Sequence, residues 1–305
     1  MSAVSRIAGI CVAVAASFAT ALVPPLGSGP ASAENTDAAK YFGTWNYDLP
    51  DNATLNNIDV LACPDGTGAC DRDLPLPLRV PQVGWVTFAP GPNGTVDGHT
   101  DQGCTWNFAV HADGLELSST TQECFNKNIG SAGNLTKWSV RVDGTKETES
   151  IVAISHQPNG VDIIGTMASG SRTKVGESAE NKRFVDHYLG DFTYAPADFQ
   201  TLTNVVSTST GNAYPQQGTI HFTRKSDSTI TAHTPDGCDW SLEVRGNTAE
   251  LAPDTQTCHT PTGDLTLRYW GLATDGHQMN AFLSGSTPPA TDIYLFVGDL
   301  TRSAT

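Results

Sequence analysis

"HTDQGCTWNFAVHADGLELSSTTQEC", residues 99–124, returns 134 residues later as "HTPDGCDWSLEVRGNTAELAPDTQTC", residues 233–258. Aligned without a gap, eleven of the twenty-six positions are identical: the His-Thr pair, Gly, both Cys, Trp, Val, Glu, Leu and the Thr-Gln before the second Cys. A Cys, a Trp and a second Cys at one spacing, twice, mark a duplicated structural unit. Within each copy the residues alternate. Cys104, Trp106, Phe108 and Val110 fall on one side of the first, and Cys238, Trp240, Leu242 and Val244 on one side of the second. Period two with aromatic and β-branched content means a strand with one buried face. Asp113-Gly114 and Gly246-Asn247 supply residues that accept φ > 0 in a tight turn. Each copy is therefore expected to be a hairpin with its two Cys nearly symmetric about the turn. Leu117 and Leu251 sit on the wrong parity relative to the second Cys, which predicts bulges near Ser118-Ser119 and Ala252-Pro253.

The duplication extends outward. "GWVTF" (84–88) matches "GTIHF" (218–222), "YFGTWNYDLPD" (41–51) matches "YLGDFTYAPAD" (188–198), and "VDIIGTMASGSR" (161–172) matches "TDIYLFVGDLTR" (291–302) when the terminal Arg residues are aligned. Two tandem domains follow, residues 40–175 and 186–302, each of single-domain size. The first owes its extra length to the insertion "LACPDGTGACDRDLPLPLRVP" (61–81). Residues 176–185, within the polar "GESAENKRF" and just beyond it, read as a linker because they show charge and no apolar face. Short strands punctuated by Gly, Pro, Asn, Asp and Ser, with almost no helical periodicity, give an all-β protein. Each domain is expected to be an antiparallel meander closing into a barrel or sandwich.

The first 33 residues read as a secretory signal: Arg6, the apolar run "IAGICVAVAASFATALV" and an A-x-A site ending at Ala33. No later stretch is long and apolar enough to span a bilayer, so a secreted protein, extracellular or associated with the cell envelope and without membrane insertion, is expected. Of seven cysteines, Cys11 leaves with the signal. Six in an exported chain read as three disulfides. The duplication favours Cys104–Cys124 and Cys238–Cys258, leaving Cys63–Cys70. The close Cys and His pairs of metal sites are missing, so no metal is expected. With 17 basic and 32 acidic residues the formal charge is −15, and it becomes more negative once Arg6 is removed. Such a chain repels phosphate backbones and anionic lipid, which argues against nucleic-acid and membrane partners.

"GTW" (43–45) on a first strand and Arg172 after a last strand resemble the signature of lipocalins and their calycin relatives. The resemblance covers both domains in outline and only a few residues in detail. It implies up-and-down barrels in which Trp45 closes one end and Arg172 packs over it. The second copy departs from the pattern, with Phe192 in place of the Trp, but it keeps Arg302. Its "TDIY" (291–294) is similar to a lipocalin T-D-Y motif displaced toward the end. The resemblance further implies an open end that accepts a small, mostly apolar ligand.

The shared polar residues are the remaining candidates. His99 and His233 precede "T-x-x-G-C" at a turn, where a His either serves a ligand or bonds local backbone. Gln122 and Gln256 are expected across the hairpin from Trp106 and Trp240, where each either meets a ligand or satisfies an indole N–H or a backbone group. Glu116 and Glu250 are expected to face solvent. No nucleophile elbow, H-E-x-x-H or phosphate loop is present, so neither an enzyme nor a cofactor is indicated. The expected function is binding of a small apolar or amphipathic ligand near Trp106, Gln122, Trp240 and Gln256. The alternative is a protein-protein interaction or inhibitor module that presents loops such as "DLPLPLRVPQ" (73–82). A secreted hydrolase ranks last.

Overall fold

Alternation along the chain becomes strand after strand in the computed structural model, which describes residues 37–51, 54–64, 79–119, 121–126, 131–156, 161–176, 179–196, 204–207, 213–261, 263–286 and 294–303. The first half contains β1 (Gly43–Tyr47), β2 (Asn57–Pro64), β3 (Arg79–Pro81), β4 (Trp85–Pro90), β5 (Val96–Thr100), β6 (Thr105–His111), β7 (Gly114–Leu117), β8 (Gln122–Asn126), β9 (Ser131–Asp143), β10 (Lys146–His156) and β11 (Val161–Lys174). Helix α1 (Ala179–Tyr188) follows. The second half contains β12 (Gly190–Tyr194), β13 (Asn204–Ser207), β14 (Ala213–Pro215), β15 (Thr219–Arg224), β16 (Thr229–His233), β17 (Asp239–Arg245), β18 (Thr248–Leu251), β19 (Gln256–Thr260), β20 (Gly263–Thr274), β21 (Gln278–Ser286) and β22 (Tyr294–Arg302).

In the first half the order β1-β4-β5-β6-β7-β9-β10-β11 closes on itself through β1–β11 pairing; β2 and β3 extend the wall from β11, and β8 pairs β9. The second half repeats this with β12-β15-β16-β17-β18-β20-β21-β22, closed by β12–β22. Two closed eight-stranded antiparallel barrels in tandem fit a lipocalin-like fold, and closure removes the exposed edges that an open sheet would present. Inward parity is largely apolar, as the sequence requires. Phe88, Phe108 and Trp138 pack edge to face at 5.6 and 5.0 Å in the first barrel, and Phe192 and Phe222 do so at 5.8 Å in the second. Each such burial contributes about 1.5–3 kcal/mol.

The duplicated stretch is not one hairpin. β6 and β7 form the hairpin, but the second Cys lies on β8, a separate strand that pairs with β9. The wrong parity of Leu117 therefore comes from a break between Leu117 and Gln122 and not from a bulge within one strand. Where β7 stops pairing with β6, the Gln122 side chain takes over: its Oε1 accepts from the Asn107 N–H at 2.8 Å and its Nε2 donates to the Asn107 carbonyl at 2.7 Å. Gln256 does the same for Ser241 at 3.0 and 2.7 Å. The disulfides Cys104–Cys124 and Cys238–Cys258, each with Cα atoms 5.8 Å apart, tie the same seam. Cys63 is also disulfide-bonded, and Cys70, expected as its partner, lies outside the described residues, as does the expected signal segment.

The segment read as a linker carries α1. The apolar residues that make it a helix, Phe184, Val185 and Tyr188, lie at and beyond the end of the polar stretch. Val185 and Tyr188 are fully buried in the second core. Residues 35–305 form one compact unit. The β17–β18 hairpin meets the first barrel: Asn247 donates to the Tyr47 carbonyl at 2.7 Å, Asn46 donates to the Arg245 carbonyl, and the Arg245 guanidinium lies over Trp85 at 4.5 Å. The Tyr269 hydroxyl donates to Asp101 at 3.0 Å in a buried contact between the barrels. Among the described residues no helix is long and apolar enough to cross a membrane.

Candidate binding site in the first barrel

β10 places Glu147, Glu149 and Ile151 on the inward face, and the register sets Glu147 opposite Arg172 and Glu149 opposite Gly170 on β11. Arg172 is itself opposite Tyr47 on β1. Two adjacent strands thus bring one guanidinium and two carboxylates together inside an apolar wall, with Tyr47 of β1 beside them. Arg172 Nη1 lies 2.6 Å from both Glu147 Oε1 and Glu149 Oε2, and Nη2 donates to the Tyr47 hydroxyl at 2.6 Å. The Trp138 indole N–H donates to Glu149 Oε2 at 2.6 Å. The guanidinium also stacks on Tyr47 at 4.2 Å and lies 5.3 Å from Trp138. Gly170 makes the space: a Cβ there would come within 2.3 Å of the Glu149 side chain.

The cluster is buried yet incompletely satisfied. Glu147 Oε2, Glu149 Oε1 and Arg172 Nε have no hydrogen-bond partner among the described residues. Burial pushes the Glu147 carboxyl up to about 8, against the opposing pull of Arg172 and with added repulsion from Glu149. Burial also raises Glu149, opposed by Arg172 and by bonds from Tyr47 and Trp138. For Arg172, burial alone disfavours the cation, but Glu149, Tyr47 and Glu147 outweigh it and keep the guanidinium charged. Two acids facing one base leave Glu147 the less compensated of the pair.

The second barrel supplies an internal comparison. Matching registers set Leu300 in the place of Arg172, Met279 in that of Glu147 and Ala281 in that of Glu149, while Trp270 takes the place of Trp138. The space beside Gly298, the counterpart of Gly170, is filled by the Tyr194 ring. One architecture thus holds a charged cluster in one copy and an apolar core in the other.

This register also corrects an expectation about barrel closure. Arg172 does not lie over Trp45; Lys174 does, at 5.1 Å, because Trp45 pairs with Lys174 and Tyr47 with Arg172. Arg302 lies over Phe192 at 4.7 Å, so its counterpart is Lys174. Aligning the two terminal Arg residues shifted the comparison by one inward-facing position. Trp45 is fully buried, with its indole N–H donating to the Tyr41 carbonyl at 2.6 Å.

Trp106 and Trp240 are buried in their cores beside the disulfides, and the Trp240 indole N–H reaches Thr234 at 3.2 Å. Gln122 and Gln256 have both ends of their amides on backbone. His99 bonds Thr105 at 2.8 Å, and His233 bonds Asp239 at 2.6 Å. Ser139 donates to Glu116 at 2.6 Å. None of the expected ligand residues belongs to the charged cluster. Glu147 and Glu149 were missed, although they carry a readable signal: "ETESI" (147–151) puts two carboxylates on the same parity as an apolar residue.

No protein-family model matches the chain, and no curated protein matches it. Among solved structures it is similar to a protein described provisionally as an outer membrane protein from Bacteroides fragilis, with 11% identity over 88% of this chain and 99% of that one and a TM-score of 0.26. It is also similar to a DUF3598-family protein of unknown function from Nostoc punctiforme, with 6% identity over 90% and 100% and a TM-score of 0.26. At that TM-score neither likeness bears on fold or function.

Proposed function

We propose that the protein is a lipocalin-like carrier, exported to an oxidising compartment, whose first barrel binds a small amphipathic molecule by a cationic end at Glu147 and Glu149. The observation that carries this reading is the charged cluster in the first barrel where the second has Leu300, Met279 and Ala281. The fold does not require the charges, since its tandem copy closes without them, and buried ion clusters are commonly no more stable than apolar replacements. Among the described residues the cluster leaves two carboxylate oxygens against one guanidinium nitrogen without a hydrogen-bond partner, so a donor-rich cation complements the site better than an anion. Tyr47, Trp138 and Phe108 supply aromatic and apolar surface for the rest of such a ligand. The disulfides fit a compartment outside the cytosol.

The test is a titration of alkylammonium and arylethylammonium ions, followed by Trp fluorescence, against carboxylates and alcohols of matched shape. The ammonium series should bind at one equivalent per chain. Affinity should rise about tenfold per pH unit toward pH 8, because the bound cation drives the Glu147 proton off. Glu147→Gln should weaken binding and remove that pH dependence. Equal binding of carboxylates, or two equivalents per chain, would contradict the reading.

A further inference from the structure

The outer face of the second barrel carries a second arrangement set by register. Asp191 on β12 lies opposite His221 on β15, His221 opposite His233 on β16, and His233 opposite Asp239 on β17. The result is one straight row, Asp-His-His-Asp, across four adjacent strands. Each outer carboxylate takes the Nδ1 of the neighbouring ring at 2.6 Å. The ring centroids are 5.9 Å apart with planes tilted by 31°. His233 Nε2 lies 2.9 Å from the Thr223 hydroxyl, so it points toward the strand that bears His221. The side chains of the row keep between 37% and 68% of their surface exposed, so an ion reaches them from solvent once the Thr223 hydroxyl turns away from His233 Nε2.

A carboxylate only accepts, so its contact places the proton on Nδ1 and makes Nε2 the acceptor on each neutral ring; on His233 that acceptor takes the Thr223 hydroxyl, which an incoming ion displaces. This is the second-shell device that orients and strengthens imidazole ligands. Two rings that ligate one ion at about 2.0–2.1 Å place their centroids roughly 4.5–6.4 Å apart as the N–metal–N angle opens from about 90° to 180°. The observed separation falls in that range. The first barrel again gives the contrast: the same four positions hold Thr44, Thr87, His99 and Thr105. Elsewhere His156 with Asp162 and His259 with Asp264 form similar pairs, but neither is part of such a row. Among the described residues no group of three or more His, Cys, Asp or Glu is placed to hold a metal, so water must complete the coordination of any ion held by two.

We propose that His221 and His233, each oriented by its flanking aspartate, form a two-imidazole surface site for a late first-row divalent cation, with copper(II) held most tightly. Imidazole suits copper, nickel and zinc, and the general affinity order puts copper(II) first. The site is independent of the ligand proposed for the first barrel.

The test is a copper(II) titration of the untagged full-length secreted chain against a glycine competitor, read by calorimetry and by the electron paramagnetic resonance spectrum. One tight equivalent should appear, with hyperfine coupling from two imidazole nitrogens. His221→Gln and His233→Gln should each weaken it by about tenfold or more, and the double variant Asp191→Asn with Asp239→Asn by about tenfold. Variants His156→Gln and His259→Gln should leave it unchanged. Thermal melting of each variant without metal checks that these exposed substitutions leave the barrel folded. Copper binding as tight in the variant lacking both His221 and His233, or a spectrum with one imidazole, would overturn the proposal. So would indifference to both aspartate substitutions.

Discussion

Glu147 titrates where few carboxyls do, and its stability linkage has a definite sign. Burial raises its folded pKa to about 8, whereas an unfolded Glu titrates near ~4.3. The folded state therefore holds the proton more tightly between those values, and the contribution of this group to stability is complete below about pH 4.3 and lost as pH rises through about 8. Glu147→Gln should melt higher than wild type at pH 9, by at least about 1 kcal/mol, and the gap should close by pH 5. A constant offset across that range would mean that Glu147 is ionised throughout. Gln122 makes the opposite kind of contribution. Gln122→Ala leaves the Asn107 N–H without its partner, and Gln122→Glu sets a carboxylate against the Asn107 carbonyl. Each should cost about 1–3 kcal/mol by denaturant unfolding, and unchanged midpoints would deny Gln122 its role in the seam. The legibility of the two residues differs for one reason. Gln122, Trp106 and the Cys pair are copied as Gln256, Trp240 and a second Cys pair, so the duplication exposes them. Glu147 aligns with Met279, and a comparison of copies filters out what only one copy does.

The seam between β6 and β8 is the element least visible from sequence. Alternation located β6 and β7 and, in the second copy, β17 well. Parity flagged the fault after Leu117, but parity alone does not separate a bulge from a strand that ends and lets another take its place. Removing Cys104–Cys124 by a double Ser substitution should cost about 3 kcal/mol on loop entropy, and amide exchange should rise first at Asn107 and along β8. Exchange that rises uniformly instead would mean that the disulfide does not act at the seam. Helix α1 was illegible for a simpler reason. Its apolar face falls on Phe184, Val185 and Tyr188, and a linker bounded at residue 185 cuts that pattern before it repeats.

On the scale of the molecule, the two barrels share polar contacts through Asn46, Asp101, Asn247 and Tyr269, so they should unfold together. Calorimetry should show a single transition, with Tyr269→Phe lowering it or splitting it in two because the Asp101 carboxylate loses a buried donor. Independent transitions in the wild-type chain would contradict the docking. The same tandem arrangement permits the most direct test of the central claim, that the first barrel keeps its charges for a ligand and not for its fold. Glu147→Met, Glu149→Ala and Arg172→Leu, made together, write the second barrel's side chains into the first. Unfolding free energy and ammonium-ion titration of that one variant give the answer. The account predicts a folded protein at least as stable as wild type, by up to about 1–4 kcal/mol as in other replacements of buried ion clusters, with ammonium binding abolished. A variant that still binds, or one that no longer folds, would contradict it.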